Sequence, residues 1–398
     1  MADAKLHILF AAPAYWPATA FGRPIWVQRE LARRLVDRGH EVDVVTTTLL
    51  DLHHRGEARS HVELVDGASV HYLTTPLRYR WMGITPTLPF VLSSLLRPDV
   101  VHLFGFRDVV TTVAACWARF RRIPYVLEPL GMFKPRLRKV QTKKAFDATV
   151  ARGIASGAAA IVVSSSLERD DAVGSGAPAG RVVVRGNGFP EPLEREPHGS
   201  LRRRLSIPAE APLVLYVGRL ASGKGIELLL AAMRELTQAH LALAGPDDRH
   251  GTVARVRAAQ SDPATAGRVH LLEPSVEPPL ELYTEADVLA LPSAGESFGM
   301  AAAEAAAAGT PVVLSDRCGV KDFFVDGEAL VIPYAGRALT DALRSVLDDP
   351  ELRRKLGEGG RAAARRMSWD RVAERQEHVY LEAVASRMAS TKLSTLGS

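Results

Sequence analysis

Short, almost wholly apolar runs alternate along this chain with longer stretches in which apolar positions return every three or four residues. The first run, Leu6 to Ala12, leads through a loop, Ala14 to Gly22, into a helix that starts at Pro24 and places Val27, Leu31 and Leu35 on one face. Gly39 stops that helix, and Val42 to Thr46 is the next strand. Further strands are predicted at Val70–Leu73, Val100–Phe104, Tyr125–Leu127, Ile161–Val163 and Val182–Val184, with a helix over Val109–Phe120. Runs this apolar suit strands covered on both faces, which implies a parallel sheet between helical layers.

The stretch Pro190 to Pro212 carries five prolines and few large apolar groups, so it reads as an interdomain linker. After it the alternation restarts, with strands expected at Leu213–Val217, Leu241–Ala244, Val269–Leu272, Val288–Leu291, Val312–Leu314 and Leu330–Ile332. Helices are expected at Leu339–Leu347 and Leu352–Arg366, followed by an amphipathic helix from Trp369 anchored by Val372, Val379, Tyr380 and Ala383. The fold class is therefore α/β, with two doubly wound Rossmann-like domains facing each other across a cleft. The expected division is residues 1–190 plus a helix at 369–386, a linker at 191–212, and a second domain at 213–368.

The length of 398 residues allows two buried cores. The charge excess is small, 50 − 45 = 5 positive, so the chain is only mildly basic. Cys116 and Cys318 stand far apart without neighbouring ligand residues, which argues against a disulfide framework or a zinc site and suits a reducing cytoplasm. The run at Leu6–Ala12 is short for a signal peptide, and Trp81–Leu96 is broken by Gly83, Pro86 and Pro89, so no membrane span is expected.

Chemistry concentrates in Asp287 to Leu314. Ser297 reads as the N-cap of a helix, leaving the amides of Phe298, Gly299 and Met300 as an anion site, with Glu296 in the preceding loop. Glu304 stands among seven alanines, Ala301–Ala303 and Ala305–Ala308, on a helix small enough to lie against a sheet, and is expected to face a cleft.

A second candidate is the glycine-rich loop after Val217, V-G-R-L-A-S-G-K-G, where Arg219 and Lys224 add two positive charges to phosphate-binding amides. It is neither a Walker A loop nor G-x-G-x-x-G. Gly22, in F-G-R-P, could admit a phosphate close to backbone. His102 and Glu128, on adjacent predicted strands, are acceptor-side candidates. Plainer readings stand beside these: solvated charge for Arg219 and Lys224, an ordinary turn for Gly22, a satisfied core histidine for His102.

Six basic residues between Lys134 and Lys144 could touch an anionic membrane surface or an anionic acceptor, and solvated charge is the usual outcome of such a run. No aromatic-interleaved platform accompanies them, so nucleic acid is not expected as a partner. The chain has no D-x-D, H-E-x-x-H or EF-hand loop, so neither a metal nor another cofactor is expected.

These segments together resemble the retaining glycosyltransferase family 4, of GT-B fold. The resemblance rests on F-G-R-P-I, R-G-H-E-V, P-D-V-V-H, L-G-M-F, R-G-N-G-F-P, V-G-R-L-A-S-G-K-G and E-S-F-G-M-A-A-A-E, the last being the family's E-x7-E signature at Glu296 and Glu304. It implies a nucleotide-diphosphate sugar held mainly by the second domain and a hydroxyl acceptor held mainly by the first.

By the same resemblance Arg219 and Lys224 hold the diphosphate and Glu304 the ribose. Glu296 and the Phe298–Met300 amides hold the sugar, Gly22 closes over the phosphates, and the last helix crosses back to the first domain. Two departures stand out. Glu128 occupies a position where many members have His, and Lys321-Asp322 stands where Pro-Glu is more usual. A non-catalytic nucleotide-sugar-binding protein and a GT-B nucleotide-sugar epimerase are the alternatives to a transferase. A cytoplasmic enzyme is expected, with peripheral membrane contact through Lys134–Lys144 as an option.

Overall fold

The computed structural model describes residues 5–51, 59–79, 82–133, 151–192, 199–248, 251–273 and 280–396. The chain divides into two units, Met1–Arg185 with Trp369–Ser398, and Gly186–Ser368. It therefore crosses from one to the other at Arg185/Gly186 and again at Ser368/Trp369.

The first unit is built on strands β1 (His7–Ala11), β2 (Glu41–Thr47), β3 (His61–Val65), β4 (Ala68–Leu73), β7 (Val100–Phe104), β8 (Tyr125–Glu128), β9 (Ala160–Val163) and β10 (Val182–Val184). A separate two-stranded ribbon pairs β5 (Leu77–Tyr79) with β6 (Met82–Ile84). The large sheet runs β10-β9-β8-β7-β1-β2-β4-β3, and every neighbouring pair is parallel except β3 with β4. One face carries Leu9, Val45, Val101 and Leu127 under the helix Val109–Phe120. The other carries Ile8, Phe10, Val44 and Val126 under the helices Pro24–Asp37 and Trp369–Leu396, the latter contributing Ala373, Val379, Tyr380 and Ala383.

Strand β3 and the β5–β6 ribbon escaped the sequence reading. Val62 and Leu64 of β3 lie exposed, so no buried alternation marks that strand. The signal that was present is the Asp66-Gly67 turn, whose residues sit at φ 47° and 84° and close a two-residue hairpin.

The second unit is a six-stranded parallel sheet, β13-β12-β11-β14-β15-β16, formed by β11 (Leu213–Val217), β12 (His240–Ala244), β13 (Val269–Leu272), β14 (Val288–Leu291), β15 (Val312–Ser315) and β16 (Leu330–Ile332). All six expected strands are present. The proline-rich stretch expected as linker is partly folded into this unit. Its helix Ser200–Arg204 is clasped by Glu285, which accepts from Ser200 Oγ at 2.9 Å and from the amides of Leu201 and Arg202 at 3.1 Å each.

The alanine helix Met300–Ala308 is buried on every side from Ala302 onward. Its close neighbour is not the sheet alone but the helix Pro350–Arg366, in which a Cβ at Gly357 would lie 2.4 Å from the Gly309 carbonyl oxygen. The small residues on both helices permit this approach.

Candidate functional site

The strand order of the second sheet reverses at β11, which pairs with β12 on one side and β14 on the other. Open parallel sheets bind ligands beyond the carboxyl ends of strands at such a switch point. The loops that leave β11 and β14 are the two that the sequence singled out. They are tied together by a hydrogen bond from the Ala294 amide to the Gly223 carbonyl, 2.8 Å long.

Gly225 makes the contact possible. Its φ of 73° is left-handed, and a Cβ there would lie 2.0 Å from the Pro292 carbonyl oxygen. The approach brings Lys224 Nζ onto Glu296 Oε2 as an ion pair, with side chains 14% and 27% exposed. Glu296 is held from the other side by a parallel bridge to Cys318, through Glu296 N–H to the Arg317 carbonyl (3.0 Å) and Gly319 N–H to the Glu296 carbonyl (3.0 Å). Arg219 lies exposed on the same glycine loop, its carbonyl accepting from Tyr216 Oη at 2.9 Å.

The helix that follows begins two residues later than expected. Its N-cap is Gly299 at φ 114°, not Ser297. A glycine there offers no side-chain acceptor to the first amides of the helix, which have no intrahelical acceptors. Phe298 contributes only its backbone there, because its ring is buried against Phe189 and Phe323. Met300, the first helical residue, is partly exposed. Lys321 and Asp322 lie in the turn Gly319–Phe323.

Glu304, expected to face a cleft, is buried. It is 3% exposed, and its Oε2 accepts from Tyr283 Oη at 2.6 Å. The sequence reading missed Tyr283, whose only local signal is a tyrosine inside the short helix Leu280–Glu285.

In the first unit His102 and Glu128 do come together, as neighbours on β7 and β8, but in the interior. They are 0% and 3% exposed. Arg185 grips Glu128 with two hydrogen bonds, Nη1 to Oε2 at 2.8 Å and Nη2 to Oε1 at 2.9 Å, and Nη1 also donates to Gln376 Oε1 at 2.8 Å. His102 Nε2 lies 3.3 Å from Glu128 Oε2, while its Nδ1 is 2.6 Å from Tyr380 Oη.

Burial pushes the Glu128 carboxyl up, and the Arg185 guanidinium and His102 outweigh it, so the group titrates below the usual carboxylate range. Burial lowers His102 against the pull of Glu128, leaving a neutral imidazole. The pair was expected on the acceptor side. Here it is a filled core network that fastens the last helix to the sheet. No spacing along the chain joins Arg185, Gln376 and Tyr380 to it.

Gly22 lies after β1 at φ 92°, next to the helix that starts at Pro24. The neighbouring loop after β7 holds two residues the sequence reading passed over. Arg107 donates to the Met132 carbonyl and, at 2.8 Å, to the Phe133 carbonyl. Asp108, fully buried, caps the helix Val109–Phe120 through the Thr111 amide at 2.9 Å, and burial pushes its carboxyl up to about 6. The Lys134–Lys144 cluster lies outside the described residues. Among the described residues no group of three or more His, Cys, Asp or Glu is arranged to hold a metal, and no helix is long and apolar enough to cross a membrane.

Comparison with known proteins matches both units. Residues 24–188 match the glycosyl transferase 4-like domain and residues 199–363 the glycosyl transferases group 1 family. A D-inositol 3-phosphate glycosyltransferase of Xylanimonas cellulosilytica is 35% identical over 244 residues, a match covering 58% of this chain and 58% of the relative. One from Thermomonospora curvata is 31% identical over 388 residues, covering 88% of each. Among solved structures, sucrose-phosphate synthase from Thermosynechococcus elongatus superposes with a TM-score of 0.73 at 24% identity, over 96% of this chain and 100% of that one, a likeness of fold. With both units matched in order and a relative aligned along most of its length, the chain belongs to the group 1 glycosyl transferases, and its fold is GT-B.

Proposed function

We propose that the chain transfers a glycosyl group from a nucleotide-diphosphate sugar to an acceptor hydroxyl with retention of configuration, the donor being held at the loops after β11 and β14. The observation that carries this is the Lys224–Glu296 pair, assembled by two crossed loops at the sheet's switch point and beside a helix start whose N-cap is a glycine. Departure of the nucleotide builds negative charge on the β-phosphate. Arg219, Lys224 and the amides at Gly299 and Met300 stabilise it, acting on charge that develops in the transition state.

Lys224 has three N–H donors, so its bond to Glu296 leaves donors for phosphate oxygens. Glu296 orients the donor sugar. Glu304, whose Oε2 accepts from Tyr283, is the carboxylate that meets the ribose. For Gly22 the phosphate role rests on the family resemblance. No protein nucleophile and no metal are part of this reading.

The names of the curated relatives favour a transferase over a non-catalytic binder or an epimerase, and they make inositol 3-phosphate the first acceptor to try. The test is to incubate the chain with UDP-, GDP- and ADP-sugars and an acceptor panel headed by inositol 3-phosphate, and to follow product by mass and by anomeric proton couplings. A retained anomer made only with acceptor present is expected. Conversion of donor without acceptor would favour an epimerase, and no turnover with any pair would remove the transferase reading. Contact of Lys134–Lys144 with an anionic membrane is a separate proposal, tested by pelleting with phosphatidylglycerol vesicles.

A further inference from the structure

A cavity of about 580 Å³ opens at the amino-terminal edge of the first sheet, the end opposite the loops that follow its strands. This is within the size range of small-molecule sites, roughly 300–1,000 Å³. Its walls come from three places: the turn between the helix Val109–Phe120 and β8, the turn into β9, and the last helix at Val379, Ala383 and Arg387. The lining holds four guanidinium groups, Arg119, Arg122, Arg181 and Arg387, against one carboxylate, Glu382. That carboxylate is engaged by His378 at 3.1 Å.

Two of the arginines have structural work. Arg119 donates to the Gly153 carbonyl at 2.8 Å, and Arg181 to the carbonyls of Ser156 and Ala158 at 2.5 and 3.0 Å, closing the exposed end of the helix Arg152–Gly157. Arg122 differs. It stands at φ 55°, a position that favours glycine, and its side chain has no hydrogen-bond or ion-pair partner among the described residues. The uncharged part of the wall is small: Pro124 and Ala159 reach the surface, with Ile123, Ala158 and Ala160 buried behind them.

We propose that this cavity binds a phosphate-bearing ligand, with Arg122 and Arg387 holding the phosphate and the body lying over Pro124 and Ala159. A cavity with an excess of guanidinium groups is matched by a phosphate ester, for which arginine provides bidentate donors. The phosphate belongs either to a free metabolite or to a lipid headgroup. Phe120, the last residue of the helix Val109–Phe120 and 84% exposed, is placed to enter a bilayer beside the cavity in the second case. Because Val379 and Ala383 share a helix with Gln376 and Tyr380, a ligand here also braces the helix that closes the Glu128 network.

The experiment uses the full chain carrying Lys224→Ala, so that pyrophosphate binding at the donor loops is suppressed. Inorganic pyrophosphate is titrated by calorimetry, and pelleting with phosphatidylglycerol vesicles is measured in parallel. Both are repeated after adding Arg122→Gly and Arg387→Ala, glycine being chosen because it accepts the backbone at residue 122 without strain. A free-metabolite site predicts pyrophosphate binding that weakens at least tenfold in the added variant and recovers in Arg122→Lys/Arg387→Lys. A headgroup site predicts silent pyrophosphate and vesicle binding that falls at least tenfold. Curves unchanged by the added substitutions in both arms overturn the proposal.

Discussion

Glu128, the last residue of β8, and Glu296, in the loop after β14, both stand at the carboxyl end of a parallel strand and both meet a cation, yet their surroundings differ in every respect that matters. Glu128 is sealed in the core with Arg185 bidentate on it and His102, Gln376 and Tyr380 closing the shell. Glu296 meets a single lysine, keeps 27% of its side chain exposed, and sits beside a helix start whose N-cap is a glycine. A carboxylate whose hydrogen-bonding capacity is used up inside the protein fastens elements together. One with spare capacity at an open sheet edge is available to a ligand.

The largest effect that tests this contrast is on stability. Arg185→Ala leaves the Glu128 charge buried without its main partner, which costs about 3–5 kcal/mol. A fall in Tm of roughly 10 °C is expected in calorimetry. A fall under 2 °C would show that the network is not what holds the last helix.

The same network predicts an acid limit. The folded Glu128 titrates below its unfolded value, so its contribution is complete above the unfolded carboxylate range of about 4.3 and is lost as pH falls through the folded value. Tm measured from pH 7 down to pH 3 should drop more steeply for the wild type than for Glu128→Gln. Parallel curves would remove Glu128 from the account of acid stability.

Lys224→Ala reverses the pattern. It should lower transfer by on the order of 10²–10³-fold while leaving the fold in place. Gly225→Ala is a smaller perturbation of the same geometry, because a side chain there meets the Pro292 carbonyl in a left-handed position. It should cost ~1–3 kcal/mol of stability and reduce transfer by separating Lys224 from Glu296. Unchanged kinetics in this variant would mean the crossed loops do not set the pair. The smallest effect is Tyr283→Phe, which removes one hydrogen bond from Glu304 at a cost of about 1 kcal/mol and should raise KM for the donor more than it lowers kcat.

Most of the parallel strands were legible because runs such as Leu213–Val217 and Val288–Leu291 are apolar on both faces, a pattern that survives without knowledge of tertiary contacts. The exposed β3 lacked that pattern, and its Asp66-Gly67 turn was the only mark. The Lys224 and Glu296 loops were legible through their glycines and their place after strands. That they touch depends on Gly225 and Pro292, residues whose approach no spacing encodes. The role of Glu128 was illegible for the same reason. Its partner Arg185 lies 57 positions away, and Gln376, which accepts from Arg185, lies 191 positions beyond that arginine, with no local periodicity to mark either.

The most direct test is a paired measurement on Lys224→Ala and Arg185→Ala, each assayed for initial transfer rate with a saturating nucleotide-sugar donor and for Tm. The account predicts a crossed result. Lys224→Ala loses at least a hundredfold in rate with Tm within about 2 °C of wild type. Arg185→Ala loses roughly 10 °C in Tm and, at a temperature where it remains folded, keeps most of its rate. Wild-type transfer by Lys224→Ala would contradict the assignment of the β11 and β14 loops as the donor site.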